Sequence, residues 1–334
     1  MKNRKLLEIK DLRTTFVSKG IRTQAVRGVS LSVNEGDILG IVGESGSGKS
    51  VLMKTVIGIL PENAEIESGS IVFEEKELTK LSKKELQKLQ GKEVAMVFQD
   101  PMTALNPLRK IGSQVEEILK RHRKLSKSQA KIEAINLLRK VGIPSPEKRV
   151  DQYPHEFSGG MRQRVLISMA LACNPKLLIA DEPTTALDVT IQAQILELLK
   201  EIQKESGMSI ILITHDLGVV ANMCNRIVVM YGGMVMEEGT TDQIFYMPKH
   251  PYTRALLHAI PKLDSGSKER LEPIPGMAPS LIDPPKGCAF AARCIYATER
   301  CRNELPPFRK FSDSQQSRCF YSFDLDGNFI AEEA

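Results

Sequence analysis

The sequence predicts an α/β protein built around a parallel sheet. Three observations carry this. The apolar run Ile38-Leu-Gly-Ile-Val42 leads directly into a glycine-rich loop and then a helical stretch. Two further apolar runs, at 176–180 and 209–214, enclose a helical pattern over about 189–206. Strands that alternate with helices pair in parallel, and parallel strands buried on both faces read as continuous apolar runs.

Taken in order, residues 5–36 alternate apolar and polar in short runs, as in Leu7-Glu-Ile-Lys-Asp-Leu12. This predicts an antiparallel sheet with one covered face. After the loop, residues 50–60 have helical character up to Pro61. Residues 77–92 are rich in Lys, with Leu at helical spacing, and read as a solvated helix. Val94–Phe98 is another strand. Residues 108–148 hold two amphipathic helical patterns with no strand between them, which predicts a helical insert. From Pro248 onward prolines recur, at Pro251, Pro261, Pro273, Pro275, Pro279, Pro284 and Pro285 among others, and a loop-rich tail is expected.

The 334 residues are 42% hydrophobic and 26% charged, ordinary for a globular chain with a sizeable core. No stretch approaches 18 uncharged apolar residues, and the N-terminus has no apolar segment or cleavage site. A cytoplasmic protein without a membrane span is therefore expected. The net charge of +5 is mild and does not by itself argue for nucleic acid, whose binders usually show a clustered basic face.

Gly43-Glu44-Ser45-Gly46-Ser47-Gly48-Lys49-Ser50 fits the phosphate-loop pattern G-x-x-x-x-G-K-[ST], in the strand–loop–helix setting that pattern needs. Glycines let backbone N–H groups face phosphate oxygens, and the helix start adds favourable dipole charge. Lys49 neutralises the β- and γ-phosphates, and Ser50 offers a hydroxyl to Mg²⁺. A partner carboxylate should end a buried strand. Asp181 and Glu182 follow Leu177-Leu-Ile-Ala180. Asp181 is suited to hold Mg²⁺ through water, and Glu182 to act as general base. His215 ends the next strand, within reach of a γ-phosphate.

Phe157-Ser158-Gly159-Gly160-Met161 resembles the signature motif of ABC-type ATPases, usually Leu-Ser-Gly-Gly-Gln. The order of motifs is similar to that family throughout: phosphate loop, Gln99, signature, Asp181-Glu182, Ala186-Leu187-Asp188, then His215. The resemblance implies an ABC cassette: a RecA-like parallel core, an N-terminal antiparallel β subdomain and a helical insert. It implies ATP contacts from Gly43, Glu44, Ser45, Gly46, Ser47, Gly48, Lys49, Ser50, Val51 and Gln99, and Mg²⁺ contacts from Ser50, Gln99 and Asp181. Glu182 and His215 are the catalytic pair, and Asp188 belongs to the D-loop. Phe16 looks like the aromatic that stacks on adenine, with a core role as the alternative. Ser158, Gly159 and Gly160 would act in trans, on ATP held by a second cassette. Met161 departs from the usual Gln but leaves the Ser-Gly-Gly unit intact.

Tyr153–Arg164, Phe98–Pro107 and His250–Leu257 narrow the resemblance to ATP-binding subunits of bacterial dipeptide/oligopeptide importers, a subgroup that also serves nickel and other solutes. It implies two inner-membrane permease subunits, a second ATPase, related or identical, and an extracytoplasmic solute-binding protein. The chain would sit at the cytoplasmic face of the membrane. The rival is a soluble ABC ATPase acting on DNA or ribosomes. Such proteins usually carry two cassettes or a long coiled-coil insert, and neither is seen here. The expected division is 1–100 (β subdomain and first part of the core), 101–160 (helical insert ending in the signature), 161–247 (second part of the core) and 248–334 (tail).

Of six cysteines, Cys173 and Cys224 sit in apolar segments. Cys288, Cys294, Cys301 and Cys319 cluster in the tail, with five, six and seventeen residues between successive members. Four thiolates suit a [4Fe–4S] cluster or a structural Zn²⁺, or the thiols stay reduced without metal. No C-x₂-C pair is present, which disfavours a zinc ribbon. The subfamily resemblance favours the cluster, as a staple for the tail. Arg293 and Arg300, beside the cysteines, read as solvated, with a role as cluster-facing donors as the alternative.

Overall fold

The computed structural model describes residues 4–185, 187–259, 274–323 and 328–330. It contains two compact units. Pro261, Pro273 and Ala186 of the expected motifs lie outside the described residues.

The first unit is formed mainly by Lys80–Ile213. Its centre is three parallel strands, Val94–Val97, Leu177–Asp181 and Ser209–Ile213, in register Val94↔Leu177↔Ser209. The last two are buried at every residue, as their unbroken apolar runs predict. Helices Gly159–Leu171 and Val189–Ser206 belong to this unit, as does the insert of Ile111–Arg123 and Lys127–Lys140. The insert helices bury Val115, Leu119, Ala130 and Ala134 in one cluster. Val115 and Leu119 recur at helical spacing, as an amphipathic pattern requires. Lys83–Leu89 is helical, begins with a Ser82/Glu85 capping box and is largely exposed.

The second unit holds Leu6–Val33, Leu39–Thr79 and the chain from Thr214 onward. The N-terminal runs become two 14-residue strands, Lys5–Ser18 and Ile21–Asn34. They are joined at Lys19-Gly20, both with positive φ. That turn matches the natural twist of a hairpin. Ala64–Phe73 pairs antiparallel on the other side of Lys5–Ser18, with Leu7 opposite Phe73 and Phe16 opposite Ala64. Thr14 Oγ1 lies 3.2 Å from Thr55 Oγ1, tying this sheet to the helix Lys49–Ile57.

Five further strands lie side by side in the order Arg309–Lys310, Gln316–Ser317, Met234–Thr240, Arg226–Tyr231, Ile38–Val42, as part of an eight-stranded sheet. Only the last pair is parallel. The described tail is loop-rich, as expected, with short strands of two residues. It lays Gln316–Ser317 against the free edge of Met234–Thr240, with the Arg318 N–H on the Met236 carbonyl at 2.7 Å. Pro251–His258 is helical, capped by the His250 side chain. Among the described residues, no helix is long and apolar enough to cross a membrane.

Candidate functional site: a phosphate loop and its partner motifs

The phosphate loop lies in the second unit, between Ile38–Val42 and Lys49–Ile57. Two of its glycines are fixed by space as well as by backbone angle. Gly43 has φ +148, and a Cβ there would come 2.1 Å from the Met230 carbonyl oxygen. Gly48 has φ +97, and its Cβ would meet the Ala25 carbonyl oxygen at 2.4 Å. No L side chain fits either place. Lys49 is buried and donates to the Gly43 and Glu44 carbonyls at 2.7 and 2.8 Å and to Ser47 Oγ at 3.3 Å. The ammonium thus sits over the concave side of the loop. Ser50 and Val51 open the helix that follows.

His215 belongs to the same unit. It follows Thr214, whose N–H donates to the Ile41 carbonyl at 3.3 Å, and its side chain is exposed. The Asp216 carboxylate then caps Leu217–Met223. Phe16 is half-buried near the end of its strand.

The first unit carries the remaining motifs. Asp181 ends its strand and is buried, whereas Glu182 turns out of the strand with φ +45. Backbone strain of this kind in a non-glycine residue collects where a side chain must be aimed. The Glu182 N–H is held by the Ile213 carbonyl at 2.9 Å. Its Oε2 accepts from Gln99 Nε2 at 2.7 Å and from Thr185 Oγ1 at 2.9 Å. The structure thus brings together Gln99 and Glu182, which are 83 residues apart.

Ser158 caps the signature helix, accepting the Met161 N–H at 3.4 Å. Asp188 caps Val189–Ser206 through the Ile191 N–H at 2.9 Å. The two helix starts touch: a Cβ on Gly160 would lie 2.5 Å from Ile191 Cγ2, and one on Gly159 3.5 Å from Leu187. Signature and D-loop are therefore one packed corner. Ser158 and its glycines present helix-start N–H groups, which attract an anion.

The expected metal centre is not supported. Among the described residues, no group of three or more His, Cys, Asp or Glu is placed to hold a metal ion. Cys288, Cys294, Cys301 and Cys319 do border one pinched cavity of about 10 Å³. Burial among apolar neighbours pushes the Cys288 and Cys294 thiols up to about 11 and Cys319 to about 12. These three are neutral thiols in the metal-free protein, and a metal that bound them would displace their protons. Arg293, expected in solvent, is buried instead: its side chain is 6% exposed and pairs with Glu44 of the phosphate loop at 2.7 Å. No local signal foretold this contact, because the partners are 249 residues apart. Arg300 is more exposed, lying over the Phe320 ring and bonding Glu304.

A phosphate loop after a parallel strand, a strand ending in Asp-Glu, and a Ser-Gly-Gly helix start define a nucleotide-binding cassette of the ABC class. The comparisons agree. Residues 26–185 match the ABC transporter family, and residues 236–301 match the C-terminal region of oligopeptide/dipeptide transporters. The chain is 57% identical to the oligopeptide transport ATP-binding protein OppD of Bacillus subtilis, over 93% of this chain and 87% of the relative. It is 50% identical to the dipeptide transport ATP-binding protein DppD of Escherichia coli, over 96% and 98%. Among solved structures, it resembles the dimeric MJ0796 cassette bound to ADP and Pi. The TM-score is 0.64 at 28% identity, covering 70% of this chain and 98% of that one. This chain belongs to the ATP-binding subunits of the oligopeptide/dipeptide ABC transporters. As such it is an ATP-hydrolysing, energy-coupling subunit.

Proposed function

We propose that the chain hydrolyses ATP to drive uptake of dipeptides or oligopeptides through membrane permeases that it joins from the cytoplasmic side. The similarity to OppD and DppD along nearly the whole chain, tail included, carries this reading. Two permease subunits, a second cassette and an extracytoplasmic binding protein complete the assembly. The division into 1–100, 101–160, 161–247 and 248–334 is part of the same proposal. Gln99 and the insert after it form the permease-docking face, and Phe98, Met102 and Leu108 in this stretch are exposed.

In this reading Phe16, Gly43–Val51 and Gln99 hold ATP, with Ser50, Gln99 and Asp181 around Mg²⁺. Glu182 polarises the attacking water and His215 contacts the γ-phosphate. Ser158, Gly159 and Gly160, with Asp188 beside them, serve the ATP of the second cassette. The chain alone therefore binds ATP well and turns it over slowly.

Glu182→Gln is the direct test. It keeps the side-chain shape and removes the base, so ATP binding stays within about twofold while turnover falls at least about 100-fold. Lys49→Ala instead weakens binding itself. Wild-type turnover in the Glu182 variant would remove the assignment.

A [4Fe–4S] cluster on Cys288, Cys294, Cys301 and Cys319, with Zn²⁺ as the alternative, is the finer reading of the tail. It rests on the four thiols sharing one cavity wall, and it requires that cavity to open and the thiols to ionise. Iron with acid-labile sulfide after anaerobic purification supports it. Four titratable thiols and no metal retire it.

A further inference from the structure

Residue 44 of the phosphate loop is held from outside the loop as well as within. Its carbonyl takes Lys49 Nζ at 2.8 Å. Its N–H donates to Tyr252 Oη at 3.0 Å. Its carboxylate accepts from Arg293 Nη1 at 2.7 Å. The guanidinium is itself clamped. Nη1 also donates to Tyr231 Oη at 3.1 Å, Nη2 to the Ile274 carbonyl at 2.9 Å, and Nε to the Pro275 carbonyl at 2.8 Å. Tyr231, Tyr252 and the tail's Phe290 pack as one aromatic cluster, with centroids 4.5 to 5.4 Å apart. All three guanidinium nitrogens are used, and a planar fork fixed this way cannot drift.

The arrangement answers an electrostatic problem. A carboxylate in a loop built for polyphosphate repels its own ligand, and a partly buried site screens that repulsion weakly. Arg293 supplies the opposite charge and pins the carboxylate. We propose that Arg293 is a positioning residue for ATP binding: it neutralises Glu44 and holds its carboxylate aside, so that the cysteine-bearing tail sets the nucleotide affinity of the phosphate loop. The proposal rests on reading Gly43–Ser50 as the ATP loop.

The test measures Mg²⁺-ATP and Mg²⁺-ADP binding by calorimetry on the full-length chain carrying Arg293→Gln, Glu44→Gln or both. Arg293→Gln weakens ATP by roughly tenfold and ADP by less, because ADP carries less charge. Adding Glu44→Gln to that chain restores ATP binding to within about twofold of wild type, because the unmatched carboxylate is gone. A merely structural arginine gives no such rescue. Unchanged binding in Arg293→Gln, or a double variant as weak as the single one, overturns the proposal. If Arg293→Gln fails to fold, Arg293→Met with and without Glu44→Gln asks the same question: the charge and the fork are both gone, so ATP weakens, and the second change recovers it. Failure of the wild-type chain to bind ATP would instead retire the loop assignment.

Discussion

Two buried side chains set a testable balance of protons. The Glu237 carboxylate accepts from the Lys249 and His250 N–H groups at 2.7 and 2.9 Å and from Gln315 Nε2 at 3.2 Å. Burial raises it from 4.5 to about 7, and burial lowers His250 from 6.5 to about 3. Between about pH 4.5 and 6.5 the unfolded chain has Glu237 ionised and His250 protonated, while the fold has Glu237 protonated and His250 neutral. Each state binds one proton, so the pair contributes no slope to stability in that window. His250→Asn, which keeps a capping side chain, leaves Glu237 alone. The fold then binds the extra proton, and relative to wild type stability falls with rising pH by about 1.4 kcal/mol per unit. Glu237→Gln leaves His250 alone and produces the opposite slope up to pH 6.5. Denaturant midpoints across the window check both signs, and parallel slopes in the two variants would count against the balance. At this scale the sequence singles out residues whose type is tied to a chemistry, as with Lys49, Asp181 and Glu182, whose roles remain proposals. It gives no role to the Glu237 carboxylate or the His250 ring and reads Arg293 as solvated, because all three depend on partners brought in by the fold.

The elements divide in a similar way. Leu177–Asp181 and Ser209–Ile213 were legible because both faces are covered, which leaves an unbroken apolar run. Ala64–Phe73 escaped notice because only its last few residues are buried, leaving Glu65, Glu67 and the serines in solvent with no period to read. Arg226–Tyr231 and Met234–Thr240 also went unread, although Gly232-Gly233 between apolar runs is a hairpin signal. The corner between the signature helix and Val189–Ser206 gives an element-scale prediction. Gly160→Ala drives a methyl against Ile191 and costs about 1–3 kcal/mol, by forcing two helix starts apart. Ile191→Ala in the same chain returns most of that loss. Denaturant unfolding of the single and double variants reads it, and a Gly160→Ala chain as stable as wild type would show that the corner yields freely.

Across the whole molecule, the tail is structural to the second unit rather than appended to it. Gln316–Ser317 covers the edge of Met234–Thr240, and the Arg318 side chain reaches the Val235 and Pro306 carbonyls. Ending the chain after Met247 bares that edge and uncovers Tyr231. The shortened chain should melt at least about 5 °C lower and self-associate, since an open apolar strand edge recruits another. Thermal melts with light scattering check both effects. Equal melting and a monodisperse sample would make the tail dispensable to the fold.

The edge pairing also has a bearing on biosynthesis. Ser317 meets Met236 across 81 positions of sequence. While the ribosome is adding those residues, the strand that seals the sheet does not yet exist, and the nascent cassette carries an open border. The segment that closes it is made 81 positions later. A stalled or clipped polypeptide therefore exposes an unfinished seam, which cellular quality control can recognise.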